Sequence, residues 1–144
     1  MSGIHPYLTF DGNCEEAFNF YKSVFGGEFT SINRFGDIPP QEGEPPMAED
    51  MKNQIMHIAL QVGDTHFMGS DSGGEWGPGL VKGNNFTLSV SPDSEQECKD
   101  LFEKLSEGGT VTMPMQATFW SKAFGMLTDQ FGIQWMVSVN EHGV

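Results

Sequence analysis

The chain is poor in cysteine. Its 144 residues include only Cys14 and Cys98, too few for a disulfide framework or a thiolate zinc centre. It is also poor in positive charge: 7 basic side chains face 20 acidic ones, for a formal net charge of −13. Such a field repels phosphate backbones, which excludes nucleic acid and anionic membranes as natural partners. No apolar run approaches the length of a membrane span. The opening Met1-Ser2-Gly3-Ile4-His5-Pro6 has no basic segment leading into an apolar core, so no signal peptide is expected and the cytoplasm is the expected location. What remains is the length of one domain, enough to bury a core without covalent staples.

The two cysteines fall on apolar helix faces, which points to packing. A nucleophilic role is the alternative, but neither neighbourhood is basic enough to favour the thiolate.

An internal repeat organises the rest. The glycines and proline of residues 72–83 read as a linker between a first module, 1–71, and a second, 84–144. In the first module, Ile4 to Phe10 alternates as a strand, with Ile4, Leu8 and Phe10 on one face and His5, Tyr7 and Thr9 on the other. Asn13, with Glu16 three residues on, has the form of a helix N-cap. Cys14, Ala17, Phe18, Tyr21, Val24 and Phe25 then form one helical stripe, ended by Gly26-Gly27. A strand over 28–35, a proline-rich acidic loop over 36–53, and two strands over 55–62 and 66–70 joined at Gly63-Asp64 complete the module.

The second module repeats this order. Asn84 to Val90 alternates with Phe86, Leu88 and Val90 on one face. Ser94 caps a helix whose stripe is Cys98, Leu101, Phe102 and Leu105, the first stripe displaced by 84 positions. Gly108-Gly109 ends it. Strands are predicted over 110–115, 123–127 and 133–139, the last two joined through a turn closing on Gly132. A duplicated βαβββ unit of the α+β class accounts for this order most simply.

The stretch Pro6-Tyr7-Leu8-Thr9-Phe10-Asp11-Gly12-Asn13-Cys14-Glu15-Glu16-Ala17, with Val24-Phe25-Gly26-Gly27-Glu28, resembles the opening of PhnB-like proteins. So do Met56-His57-Ile58-Ala59-Leu60, Phe67-Met68-Gly69-Ser70-Asp71 and Asp129-Gln130-Phe131-Gly132-Ile133-Gln134-Trp135. The resemblance spans nearly the whole chain apart from the two loops. It implies the vicinal-oxygen-chelate superfamily, with the glyoxalase/bleomycin-resistance/dioxygenase fold. There, paired βαβββ modules form curved mixed sheets around a pocket, often with a divalent metal and commonly in a homodimer. Some PhnB-like sequences carry a demethylubiquinone methyltransferase label. The chain has no glycine-rich turn between a strand and a helix of the kind that cradles a nucleotide-like cofactor.

The resemblance places His5 at a metal-ligand position of the first strand. In the second module that position is Asn85, and the last strand has Met136 where metal-binding members have glutamate. Neither replacement suits zinc or iron(II), so a divalent metal is disfavoured and no cofactor is expected. His57 or Asp71 could compensate if near the pocket.

Other features stay open between function and packing. His57 alternates opposite Met56, Ile58 and Leu60, and either lines the pocket with His5 and Tyr7 or is a hydrogen-bonded structural histidine. Trp120 and Trp135 suit a half-polar pocket wall. For Met113, Met126 and Met136, ordinary core is the expectation. Ser70-Asp71-Ser72-Gly73-Gly74 resembles part of a trypsin-like signature, but the chain is too short for that double barrel. The 36–53 loop, with Asp37, Glu42, Glu44, Glu49 and Asp50, reads as a disordered acidic insert or as a lid.

The expected pocket residues are therefore His5, Tyr7, His57, Asp71, Asn85, Trp120 and Trp135. The leading reading is a metal-independent small-molecule-binding protein. A divalent-metal enzyme using His5 and an interaction protein without a pocket are the alternatives.

Overall fold

A computed structural model describes residues 3–39, 42–43, 47–72 and 79–140. The expectations for Glu44 and for linker residues 73–78 lie outside the described residues. The chain divides into two compact units, Met1–Val81 and Lys82–Val144.

The first unit runs β1 (Tyr7–Phe10), α1 (Cys14–Phe25), β2 (Glu28–Arg34), α2 (Glu49–Asn53), β3 (Ile55–Val62) and β4 (Thr65–Asp71), with a single 3-10 turn at Phe35–Asp37. Its sheet has the order β1-β4-β3-β2, with β1 parallel to β4 and the other pairs antiparallel. The second unit runs β5 (Leu88–Val90), α3 (Glu95–Ser106), β6 (Thr110–Gln116), β7 (Phe124–Thr128) and β8 (Gln134–Ser138). Its sheet order is β5-β8-β7-β6, again with one parallel pair, β5 with β8. The two units thus share one topology. The fold is α+β, as the repeat implies.

Each helix covers one sheet face with the stripe read from its sequence. Cys14, Ala17, Phe18 and Tyr21 are fully buried in α1, as are Cys98 and Leu105 in α3, with Phe102 nearly so. Phe18 meets Phe10 edge-on at 6.2 Å and Tyr21 at 5.6 Å, and lies 5.1 Å from Phe67. Burying one such side chain stabilises by about 1.5–3 kcal/mol, so these aromatics dominate the packing of α1.

Both phenylalanines need a glycine beneath them. A Cβ on Gly69 of β4 would lie 2.6 Å from the Phe18 ring, and one on Gly125 of β7 2.6 Å from Phe102. The recess sits on β4 in one unit and β7 in the other, although the stripes above match.

Several local expectations differ from the structure. β1 begins at Tyr7, so Ile4 joins no core face and is 91% exposed. β5 begins only at Leu88, leaving Phe86 exposed, while Gln134 Nε2 donates to its carbonyl at 2.7 Å. Asn13 makes no side-chain cap on α1, whereas Ser94 Oγ accepts the Glu97 N–H as expected. The 36–53 segment is not wholly irregular: it contains the end of the 3-10 turn and all of α2. Its two ends meet where Phe35 N–H donates to the Gln54 carbonyl at 3.0 Å.

Candidate functional site

The sheet face of the first unit that points away from α1 carries most of its polar chemistry. Strand alternation sends Leu8, Phe10, Gly69 and Ile58 toward the helix, so their neighbours point the other way. Register then lays Tyr7, Met68, Ala59 and Ser31 in one row across all four strands. The adjoining positions are Thr9 beside Ser70 and Asn33 beside His57.

His57 is the centre of this face. Its Nδ1 lies 3.3 Å from Ser31 Oγ, and Asn33 Nδ2 donates to the same Oγ at 3.0 Å. The Tyr7 ring leans across β4 to within 5.9 Å of the imidazole. Both His57 and Ser31 are half-buried, and Tyr7 is exposed.

His5 stands at the margin. Its Nδ1 accepts the His66 backbone N–H at 3.1 Å, and the two imidazoles meet edge-on at 5.0 Å. That bond substitutes for strand pairing just before β1 begins.

Asp71 lies on the other side of the sheet, buried against α1. Oδ1 accepts the N–H groups of Gly12 and Cys14 at 2.9 and 3.0 Å, and Oδ2 that of Ile55 at 2.8 Å. The parallel pairing of Phe10 with Asp71 sets the carboxylate beside the β1–α1 turn. A negative charge there suits the positive end of the helix dipole and supplies the cap that Asn13 does not.

In the second unit, Trp135 pairs with Leu127 on the α3 side and is 4% exposed. Its indole N–H donates to Asp129 Oδ2 at 2.8 Å, while Oδ1 accepts the N–H groups of Phe131 and Ile133. Trp120 is 53% exposed and packs edge-on against Phe119 and Phe124, at 4.6 and 5.4 Å. The two indoles therefore serve different surroundings. Asn85 is exposed in the segment before β5.

The methionines correct an expectation of core packing. Met113 pairs with Met126 and Met126 with Met136, a row across β6, β7 and β8. All three are half-buried, on the face away from α3. Because Gly125, Leu127 and Trp135 take the helix side, alternation leaves the methionines the other.

The fold family implies a divalent metal, and the donors present do not fit one. His5 Nδ1 is already engaged by His66 N–H, Asn85 is an amide and Met136 a thioether. Among the described residues, no three His, Cys, Asp or Glu side chains come together as a metal centre requires.

The thiols are equally unsuited to nucleophilic work. Burial, with the nearby charges of Asp71 and Glu15, pushes the Cys14 thiol far above its ordinary range. Burial and the charges of Glu97 and Glu95 raise Cys98 in the same direction. On the exposed side of α1, Arg34 forms a bidentate pair with Glu15 and also donates to the Asn53 carbonyl at 2.8 Å. This pair, through hydrogen bonding first, holds the Glu15 carboxyl below its usual value.

Ser31, Asn33, His66 and Asp129 were not legible as site or scaffold residues. The alternation of Ser31 with Asn33 was a signal for a shared face, but nothing local gave their register against His57.

Comparison with known proteins bears on the family and the fold. The family model described as 3-demethylubiquinone-9 3-methyltransferase matches residues 2–138. Protein YjdN of Escherichia coli is 31% identical over 141 residues, covering 94% of each chain. The crystal structure of protein PA1353 from Pseudomonas aeruginosa is 43% identical with a TM-score of 0.80, covering 95% of this chain and 96% of that one. The PhnB protein from Bacillus cereus, titled a putative 3-demethylubiquinone-9 3-methyltransferase, is 30% identical with a TM-score of 0.73, covering 95% and 98%. Fosfomycin-resistance and glyoxalase-related proteins, at 10% and 18% identity and TM-scores of 0.66 and 0.64, share the fold. The chain belongs to the PhnB-like family and has the vicinal-oxygen-chelate fold.

Proposed function

We propose that this protein binds a small molecule without a catalytic metal, using the face of the first sheet that carries His57. The observation that carries the reading is the grouping of Tyr7, His57, Ser31 and Asn33 around one accessible imidazole, on a face that α1 leaves open. A few convergent polar groups beside an apolar one, here Met68, are what a small-molecule site needs. His5 borders this face. In the second unit, Asn85 and Trp120 are exposed and available to a ligand on that unit.

Methyl transfer, which the family description names, has less support from the residues. The amides of the β1–α1 turn that could cradle a nucleotide-like cofactor are spent on Asp71. In the β5–α3 turn, Ser94 Oγ takes the Glu97 N–H.

The same reading includes a homodimer in the cytoplasm. The support for the homodimer is the family resemblance. No helix among the described residues is long and apolar enough to cross a membrane. Sedimentation at micromolar concentration tests the dimer.

A fragment screen read by amide and side-chain shifts of the full chain tests the binding face. Fragments that move Ser31, His57 and Tyr7 together, and lose affinity in His57→Ala, are expected. Hits confined to other surfaces would contradict the reading.

A further inference from the structure

The hydrogen bonds on this face have a direction. Asn33 Nδ2 donates to Ser31 Oγ at one of the hydroxyl's two acceptor positions, and His57 Nδ1, 3.3 Å away, is an acceptor within reach of the hydroxyl hydrogen. With that hydrogen on this contact, Nδ1 is an acceptor. A neutral imidazole accepting at Nδ1 carries its hydrogen on Nε2. Among the described residues, Nε2 has no hydrogen-bond partner, and no fully buried polar atom is left unsatisfied.

We propose that His57 presents Nε2–H as a donor to the bound molecule, and that this molecule is a neutral compound with a carbonyl oxygen on an apolar body. This rests on the reading of the His57 face as the binding face. Three observations select the class. The donor demands an acceptor atom from the ligand. The net charge of −13 disfavours an anion as the bearer of that atom. Tyr7 and Met68, side by side near His57, suit an apolar and preferably aromatic body. His57 touches the ligand in this arrangement, and Ser31 and Asn33 are positioning residues that set its tautomer.

Long-range proton–nitrogen spectra of the full chain at about pH 8, where an ordinary imidazole is neutral, read the tautomer directly. The expected His57 signals are a pyrrole-like Nε2 and a pyridine-like Nδ1, with Ser31→Ala eroding that preference while the fold is kept. An Nδ1–H tautomer would mean that Ser31 Oγ accepts from the imidazole as well as from Asn33, leaving Nε2 an acceptor. That result overturns the proposal and leaves the binding face standing.

Three probes of one size, acetophenone, benzoate and ethylbenzene, test the ligand class. Acetophenone should shift His57 Nε2–H and the Tyr7 ring, and bind roughly tenfold more weakly in His57→Ala, the scale of one lost hydrogen bond. Ethylbenzene and benzoate should both bind more weakly than acetophenone. Benzoate binding tighter, or acetophenone binding unchanged in His57→Ala, would overturn the proposal. The expected tautomer with no probe perturbing the face would overturn the binding reading and the proposal with it.

Discussion

Asp71 accepts the backbone N–H of Cys14 at 3.0 Å, joining the last residue of β4 to the first residue of α1. The same carboxylate takes the N–H of Gly12 and of Ile55, so one buried charge ties the β1–α1 turn and the start of β3 to the end of β4. An amide in its place has one acceptor oxygen and turns an NH2 group toward backbone donors.

Asp71→Asn should therefore lower unfolding stability by about 2–4 kcal/mol, the range for losing charged hydrogen bonds and leaving buried donors unmatched. Urea unfolding measures it. A loss below about 0.5 kcal/mol, the scale of an ordinary surface substitution, would show that the carboxylate is not structural.

Gly125→Ala should cost about 1–3 kcal/mol by overpacking, since the new Cβ meets the Phe102 ring at 2.6 Å. Phe102→Leu in the same chain should recover part of that loss, because the two changes share one contact. Additive losses in urea unfolding would place the strain elsewhere.

The Glu15–Arg34 pair is half-exposed, so its contribution is small despite its bidentate geometry. Glu15→Gln should cost about 0.5 kcal/mol at neutral pH, less in high salt. The Glu15 carboxyl is depressed in the folded state by Arg34, so its stabilisation is present above the ordinary carboxylate range. It is lost as pH falls through the depressed value, and the variant should converge on the wild type there. Thermal unfolding across that window, at low and high salt, checks both effects.

Cys14 and Cys98 are fully buried, and their thiols are raised by burial and neighbouring carboxylates. Neither supplies thiolate near neutral pH. Iodoacetamide should label neither in the folded protein and both in urea, as read by intact mass.

The helices were the most legible part of this molecule because their signal is local. Cys14, Ala17, Phe18 and Tyr21, and Cys98, Phe102 and Leu105, were read on helical stripes from spacing alone and are buried, whereas Val24, Phe25 and Leu101 of the same stripes are half-buried. Long-range partners were not legible. The cap of α1 comes from Asp71, 57 positions away from Cys14, rather than from the adjacent Asn13. The methionine row was misread because β7 and β8 are five residues each, and in a strand a shift of one residue exchanges the faces. Ile4 and Phe86 were assigned to strands that start only at Tyr7 and Leu88. At the site, a face shared by Tyr7 and His57 was one of two readings and rested on strand alignment as in the family, whereas Ser31 and Asn33 depended on the bulged register of β2 with β3.

The central claim is that this PhnB-like chain binds its ligand without a catalytic metal. Elemental analysis of protein purified without chelator tests it most directly. The account predicts only substoichiometric zinc, nickel, manganese and iron, with fragment binding at the His57 face unchanged by a chelator. One tightly held equivalent of any of these metals per chain would contradict it.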